Sequence, residues 1–181
     1  MCFELFVASR AMSLPPRVDP FDAPDLHYFG AGVILGYKGS HGWEVLLAQR
    51  GEHPFLGYWS VPGGGRNPTD RNSLFTALRE ASEELFQGQD ILEQLGRWLA
   101  NDFEPSRMPI QKHSTPRGNS WRTYFLELAG KPPLDSFAVM QKEVAQIAWY
   151  HVGALPEQIH PCVMSSLEHF RLINGSAMRR A

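Results

Sequence analysis

The stretch Gly57-Tyr58-Trp59-Ser60-Val61-Pro62-Gly63-Gly64-Gly65 is followed, after a short polar segment, by Leu74-Phe75-Thr76-Ala77-Leu78-Arg79-Glu80-Ala81-Ser82-Glu83-Glu84-Leu85. Leu74, Ala77, Leu78, Ala81 and Leu85 recur at helical spacing, with Thr76, Glu80, Glu83 and Glu84 on the opposite side. An amphipathic helix therefore follows the glycine turn. Asn72 or Ser73 can cap its start through a side-chain oxygen, and Gly88 can close it in the left-handed conformation. On such a helix Glu80 and Glu84 stand one turn apart with Glu83 beside them, so three carboxylates share one patch. Their repulsion is relieved by water, by protonation, by a neighbouring cation or by a bound divalent metal. A set made only of oxygen ligands suits magnesium or manganese. Taken alone, Arg-Glu-x-x-Glu-Glu is more often a solvated helix face. The Pro-Gly-Gly-Gly turn just upstream shifts that balance, because it lets backbone approach the carboxylates and add an oxygen to a metal site.

Outward from this segment, Tyr28 to Tyr37 and Trp43 to Arg50 are apolar and rich in β-branched or aromatic residues, and Lys38-Gly39-Ser40-His41-Gly42 joins them as a β-hairpin. Gly57 to Val61 reads as a short strand running into the glycine loop. Leu95 to Leu99, Trp121 to Leu128 and Val144 to Val152 are further strand candidates, and Asn101 to Ser120 reads as a long loop. A last helix is expected near Pro161 to Ile173, supported by Val163, Leu167 and Phe170. Residues 13 to 26 hold four prolines and three aspartates and read as an extended arm, so the expected division is an arm or extension at 1–26 and one domain at 27–181. Strands and helices mix without regular βαβ alternation, which predicts an α/β fold with a mixed sheet flanked by helices.

The 181 residues, 43% hydrophobic and 20% charged, suffice for one domain with its own core. The formal net charge is -2 and no block of like charges occurs, so bulk charge carries no nucleic-acid footprint. No apolar run approaches the roughly 20 residues of a membrane span. Cys2 and Cys162 make neither a disulfide framework nor a zinc pattern, and the expected setting is reducing and cytoplasmic. Met1 to Ala11 lacks the basic start and long apolar core of an export signal, and Met12 is an equally suitable start. Neither a Ser/His/Asp or Cys/His nucleophile pattern nor a GXGXXG motif is recognisable.

The glycine turn and acidic helix together resemble the Nudix hydrolase family, whose box is written GX5EX7REUXEEXGU, with U aliphatic. Gly65, Arg79, Glu80, Ala81, Glu83 and Glu84 match it, while Arg71 stands where the family has glutamate, Phe86 where it has glycine and Gln87 where it has an aliphatic residue. Gly57 to Gly64 is similar to the family's GxWxxPGG entry, preceded by the Val45-to-Arg50 strand, and Glu143 and Ile159-His160-Pro161 fall in the right order behind it. The resemblance implies an α/β/α sandwich and a metal-dependent pyrophosphohydrolase acting on a nucleoside diphosphate derivative: a nucleotide sugar, a nucleoside triphosphate, ADP-ribose or a dinucleoside polyphosphate. It implies Mg2+, with Mn2+ as substitute, held by Glu80, Glu83, Glu84 and the Gly64 backbone. Glu143 and Glu80 are the candidate bases, Glu143 being favoured, and Arg79 completes the catalytic set by orienting a ligand carboxylate.

Arg50, Arg66, Lys112 and Arg117 are candidate phosphate contacts, and Trp59, Tyr58, Trp121 or Phe55 candidate stacking surfaces, with a core role as the alternative for Trp59, Trp121 and Trp149. His113 is the one histidine to watch. Loss of the box glutamate at Arg71 is expected to weaken the negative field or a supporting ion pair, and it favours an alternative: a catalytically weak Nudix-like module that binds or senses a nucleotide. Removal of an RNA 5′ diphosphate is a third reading, which the missing basic surplus disfavours. The expected partner is a small nucleotide, with neither membrane nor nucleic acid. The resemblance also allows a homodimer, across which the proline-rich arm could reach.

Overall fold

The computed structural model describes residues 27–114 and 120–173. The proposed arm at 1–26, with Cys2 and Met12, and the candidate Arg117 lie outside the described residues. A seven-stranded mixed sheet is built from β1 (Gly30–Gly39), β2 (Gly42–Arg50), β3 (Trp59–Ser60), β4 (Gly63–Gly65), β5 (Ile110–Ser114), β6 (Ser120–Leu128) and β7 (Val144–His151). Its path runs β3-β2-β1-β6-β5, with β4 also paired to β1 and β7 to β2. Among the described strands only β1 and β6 run parallel; the β1–β2 hairpin, β3, β4, β5 and β7 are antiparallel to their neighbours.

Helices cover both faces, as the α/β/α expectation requires. Side chains alternate across a strand, so Val33 and Leu35 of β1 join Leu74, Ala77, Ala81 and Leu85 of α1 (Ser73–Phe86), whereas Ile34 joins Val163 and Leu167 of α3 (Pro161–His169) on the other face. Because β1 is buried on both faces, its run Ala31 to Leu35 is continuously apolar rather than alternating. Each buried leucine contributes roughly 1.5–3 kcal/mol of hydrophobic stabilisation. None of the helices among the described residues is long and apolar enough to cross a membrane.

Several sequence expectations are corrected. Leu95 to Leu99 is not a strand: Asp90 caps α2 (Ile91–Leu95) by accepting from the Leu92 and Glu93 amides, and a 3-10 turn at Gly96–Trp98 follows. Ile91 and Leu95, one helical turn apart, are the side chains this element buries. The stretch 101–120 is not all loop, since it holds a 3-10 turn at Pro105–Arg107 and the edge strand β5, which pairs with β6 from Ile110↔Tyr124 to Ser114↔Ser120. Gly63–Gly65, read as loop, is strand β4, laid against Gly30–Gly32. Its approach is so close that a Cβ on Gly63 would lie 2.4 Å from the Gly32 Cα. Asn72 is the cap of α1, accepting from the Phe75 amide at 2.9 Å, and the helix closes at left-handed Gln87 (φ 51°), one residue before Gly88. The last helix stops at His169, with Arg171 left-handed behind it (φ 57°).

Candidate functional site

The acidic face of α1 lies against β4. Gly64 is the closest point: a Cβ there would sit 2.3 Å from Glu80 Oε2, so the Glu80 carboxylate rests directly on backbone. Glu84 is buried (9% exposed) and its Oε2 accepts a long hydrogen bond, 3.3 Å, from the Gly63 amide. Glu143, just before β7, lines a small recess together with Glu84, Arg50 and Ser60. Burial pushes the Glu84 carboxyl up to about 8 against the pull of the Gly63 amide, and the charges of Glu80 and Glu143 push the same way. Glu80 is also raised, first by burial, with Arg79 opposing and Glu83 and Glu143 adding to the rise.

Arg79 holds this cluster from behind. Its guanidinium donates to Glu80 Oε1 at 2.8 Å, Glu83 Oε2 at 3.0 Å, the Gly65 carbonyl at 2.9 Å, and both oxygens of Asp70 at 3.0 and 2.9 Å. Asp70 is the residue that sequence reasoning missed. It is 3% exposed and also accepts from the Asn67 amide at 2.8 Å and the Thr76 hydroxyl at 2.7 Å. Burial works to raise its carboxyl, but the bonds from Arg79, Asn67 and Thr76 prevail and hold it below the usual range. The ion pair expected to suffer from Arg71 is thus present, its carboxylate supplied one position earlier, while Arg71 itself is exposed. The signal was an acid five residues after Gly65 instead of six.

The remaining candidates separate. Arg50 lines both the acidic recess and an adjoining cleft of about 390 Å³, and its Nε donates to the Pro54 carbonyl at 2.8 Å. Phe55, Trp121 and His113 line that cleft with Phe29, Thr123 and Ser166, which the sequence did not single out. Trp121 packs on Phe29 at 5.5 Å between ring centroids, and Phe55 on His160 at 4.6 Å. Burial depresses the pKa of His113 and of His160, with His169 and Arg50 respectively adding to the effect, so both favour the neutral form. Trp59 is core instead, 7% exposed and edge-on to Tyr150, and Trp149 donates to the Pro132 carbonyl. Arg66 stacks over Tyr28, and neither it nor Tyr58 or Lys112 lines the cleft.

The fit to a divalent cation is one of donor chemistry. Buried Glu84 has only the long bond from the Gly63 amide, and half-buried Glu80 keeps one oxygen, Oε2, beside the glycine backbone while Arg79 holds the other, so both offer hard oxygen donors of the kind such an ion takes. Among the described residues no three acidic, histidine or cysteine side chains are gathered at metal-holding spacing; Arg79 takes one oxygen each of Glu80 and Glu83.

A family model described as NUDIX domain matches residues 27–169. The chain belongs to the NUDIX family. With that membership it is a hydrolase acting on phosphorus-containing anhydrides. Solved structures of similar fold include an Ap4A hydrolase from C. elegans in a binary complex (18% identity, TM-score 0.53, covering 78% of this chain and 95% of that one). Another is the NUDIX domain of Shewanella oneidensis NrtR with ADP ribose (18%, 0.53, 81% and 89%). A third is a bifunctional NMN adenylyltransferase/ADP ribose pyrophosphatase from Francisella tularensis with AMP and a Mn ion (16%, 0.53, 79% and 42%), of which the NUDIX chain spans less than half. No curated protein matches the chain significantly in sequence.

Gly64→Ala separates site from scaffold. The clash is with the tip of the Glu80 side chain and not with backbone, so the expected change in stability is about 1 kcal/mol, the size of the bond to Arg79 that is disturbed. If Glu80 ligates a cation, displacing it is expected to weaken Mn2+ binding at least tenfold, read by calorimetry; unchanged affinity would exclude Gly64 and Glu80 as ligands.

Proposed function

We propose that this NUDIX domain, beginning near residue 27, is a divalent-cation-dependent pyrophosphohydrolase of nucleoside diphosphate derivatives. The observation that carries the reading is the pairing of an acidic recess, which holds Glu143 and buried Glu84, with an aromatic cleft, joined by one arginine, Arg50, that lines both. Glu80, Glu83, Glu84 and the Gly64 carbonyl would hold Mg2+ or Mn2+, which when bound would neutralise anhydride oxygens. Glu143 accepts the proton of the attacking water. Arg79 keeps Glu80 and Glu83 oriented, and Arg50 faces the phosphates.

The cleft suits the nucleoside. Its described lining offers Phe29, Phe55 and Trp121 for a flat ring, hydroxyls at Thr123 and Ser166, and no Asp, Glu, Asn or Gln with which a bare sugar would be gripped. The relatives bound to ADP ribose and AMP agree with a nucleotide, and the Mn ion of the latter agrees with the cation. The sensing alternative rested on Arg71, and the Asp70–Arg79 pair removes that support.

The test is phosphate release, with a coupled phosphatase, from nucleoside triphosphates, nucleotide sugars, ADP-ribose and dinucleoside polyphosphates in Mg2+ or Mn2+. One class is expected to turn over, and Glu83→Gln with Glu84→Gln is expected to lower the rate by at least a thousandfold. A panel that stays inert while calorimetry detects nucleotide binding would replace the hydrolase by the sensing module.

A further inference from the structure

Phe86 occupies the position where the family box has glycine, and nothing above accounts for it. It is 1% exposed, in the last turn of α1, and its ring lies 5.3 Å from that of Phe137, tilted by 32°. Its backbone forms a parallel bridge with Ala138. Two residues on, the Met140 amide donates to the Glu84 carbonyl at 2.9 Å, filling one of the helix-end acceptors that a helix cannot satisfy itself. The Met140 carbonyl in turn accepts from the amides of Glu143 at 3.2 Å and Val144 at 3.1 Å. The Glu143 carbonyl accepts from the Gly51 amide at 2.8 Å, at the end of β2. The segment carrying Glu143 is therefore stapled to the same helical turn that carries Glu84.

We propose that Phe86 and Phe137 are positioning residues that fix Glu143 against the acidic cluster. The inference rests on the reading of Glu143 as the base. A glycine at position 86 offers no ring to Phe137, so the aromatic pair is this chain's own means of setting where the carboxylate arrives. The pair belongs to the core as well, so the test must separate support of the fold from support of Glu143.

The experiment is a double-mutant cycle between Phe137→Ala and Glu143→Gln, with kcat and KM measured on the nucleotide that turns over. Phe137→Leu, which keeps most of the apolar volume, serves if the alanine variant does not fold. Phe137→Ala is expected to lower kcat at least tenfold with KM within twofold, and to cause no further loss in the Glu143→Gln background. Amide hydrogen exchange in the metal-free protein gives a readout apart from turnover: Met140 and Val144 are expected to exchange at least tenfold faster in the Phe137 variant. Equal losses in both backgrounds, an unchanged kcat or unchanged exchange overturn the inference while leaving Glu143 as base. A Glu143→Gln variant with full activity, or a wild type inert on every nucleotide, overturns the reading of Glu143 and the inference with it.

Discussion

Glu84→Gln is expected to stabilise the metal-free protein at pH 8 by an amount on the order of a few kcal/mol, and to end turnover. The cause is the Glu84 carboxyl, pushed up to about 8 in the folded chain by burial and by its acidic neighbours, from an ordinary value near 4.5. The folded state holds this proton more tightly than the unfolded one, so the stabilising contribution is complete below about pH 4.5 and fades as pH rises to about 8. Glutamine keeps a carbonyl for the Gly63 amide and removes the titrating charge. Denaturant unfolding in a chelator at pH 5 and pH 8 checks this: the difference between variant and wild type should grow with pH. Other groups titrate too, including Glu80 in the same direction, and the difference isolates Glu84. A difference independent of pH would mean that the carboxyl is not strained by burial. Adding Mn2+ should reverse the order, because a ligand that binds only the folded wild type stabilises it by mass action.

Asp70→Ala should act in the opposite sense, costing roughly 3–5 kcal/mol, the range for removing one partner of a buried ion pair. The Asp70 carboxylate accepts from Arg79, Asn67 and Thr76 with almost no solvent contact. Its loss leaves the guanidinium with Glu80, Glu83 and the Gly65 carbonyl, so on the proposed function activity should fall with stability. Arg71→Ala, at the position where the family's glutamate stands, should stay within about 0.5 kcal/mol because that side chain is exposed. Equal melting temperatures for Asp70→Ala and wild type would show that Arg79 needs no such partner.

Both helical faces and the hairpin were legible from periodicity alone, because α1 and β1 obey local rules: 3.6-residue spacing over Leu74 to Leu85 and an apolar run at Ala31 to Leu35. The carboxylates Glu80, Glu83 and Glu84 were legible for the same reason, since their spacing fixes one face. What escaped depends on partners distant in sequence. β5 exists because β6 offers an edge to Ile110–Ser114, and β4 because Gly30 and Gly32 leave room for it. Asp70 escaped because its role is set by a hydrogen-bond network and not by the count of residues from Gly65. The cleft escaped because Phe29, Trp121, Phe55 and Ser166 meet only when the hairpin, β6 and α3 are assembled.

Helices on both sides of the sheet contribute to adjoining spaces. The acidic recess takes Glu84 from α1, packed over Val33, Leu35 and Tyr124, and the adjoining cleft takes Val163 and Ser166 from α3, on the face of Ile34 and Phe125, with Arg50, Ser60 and Val61 lining both. On the proposed function, neighbouring residues of a single strand thus support separate demands, one for reactivity and one for choice of cargo. A hydrolase of the proposed kind could drift in what it grips, through changes at Phe55, Trp121 or Ser166, while the acidic residues of α1 stay untouched.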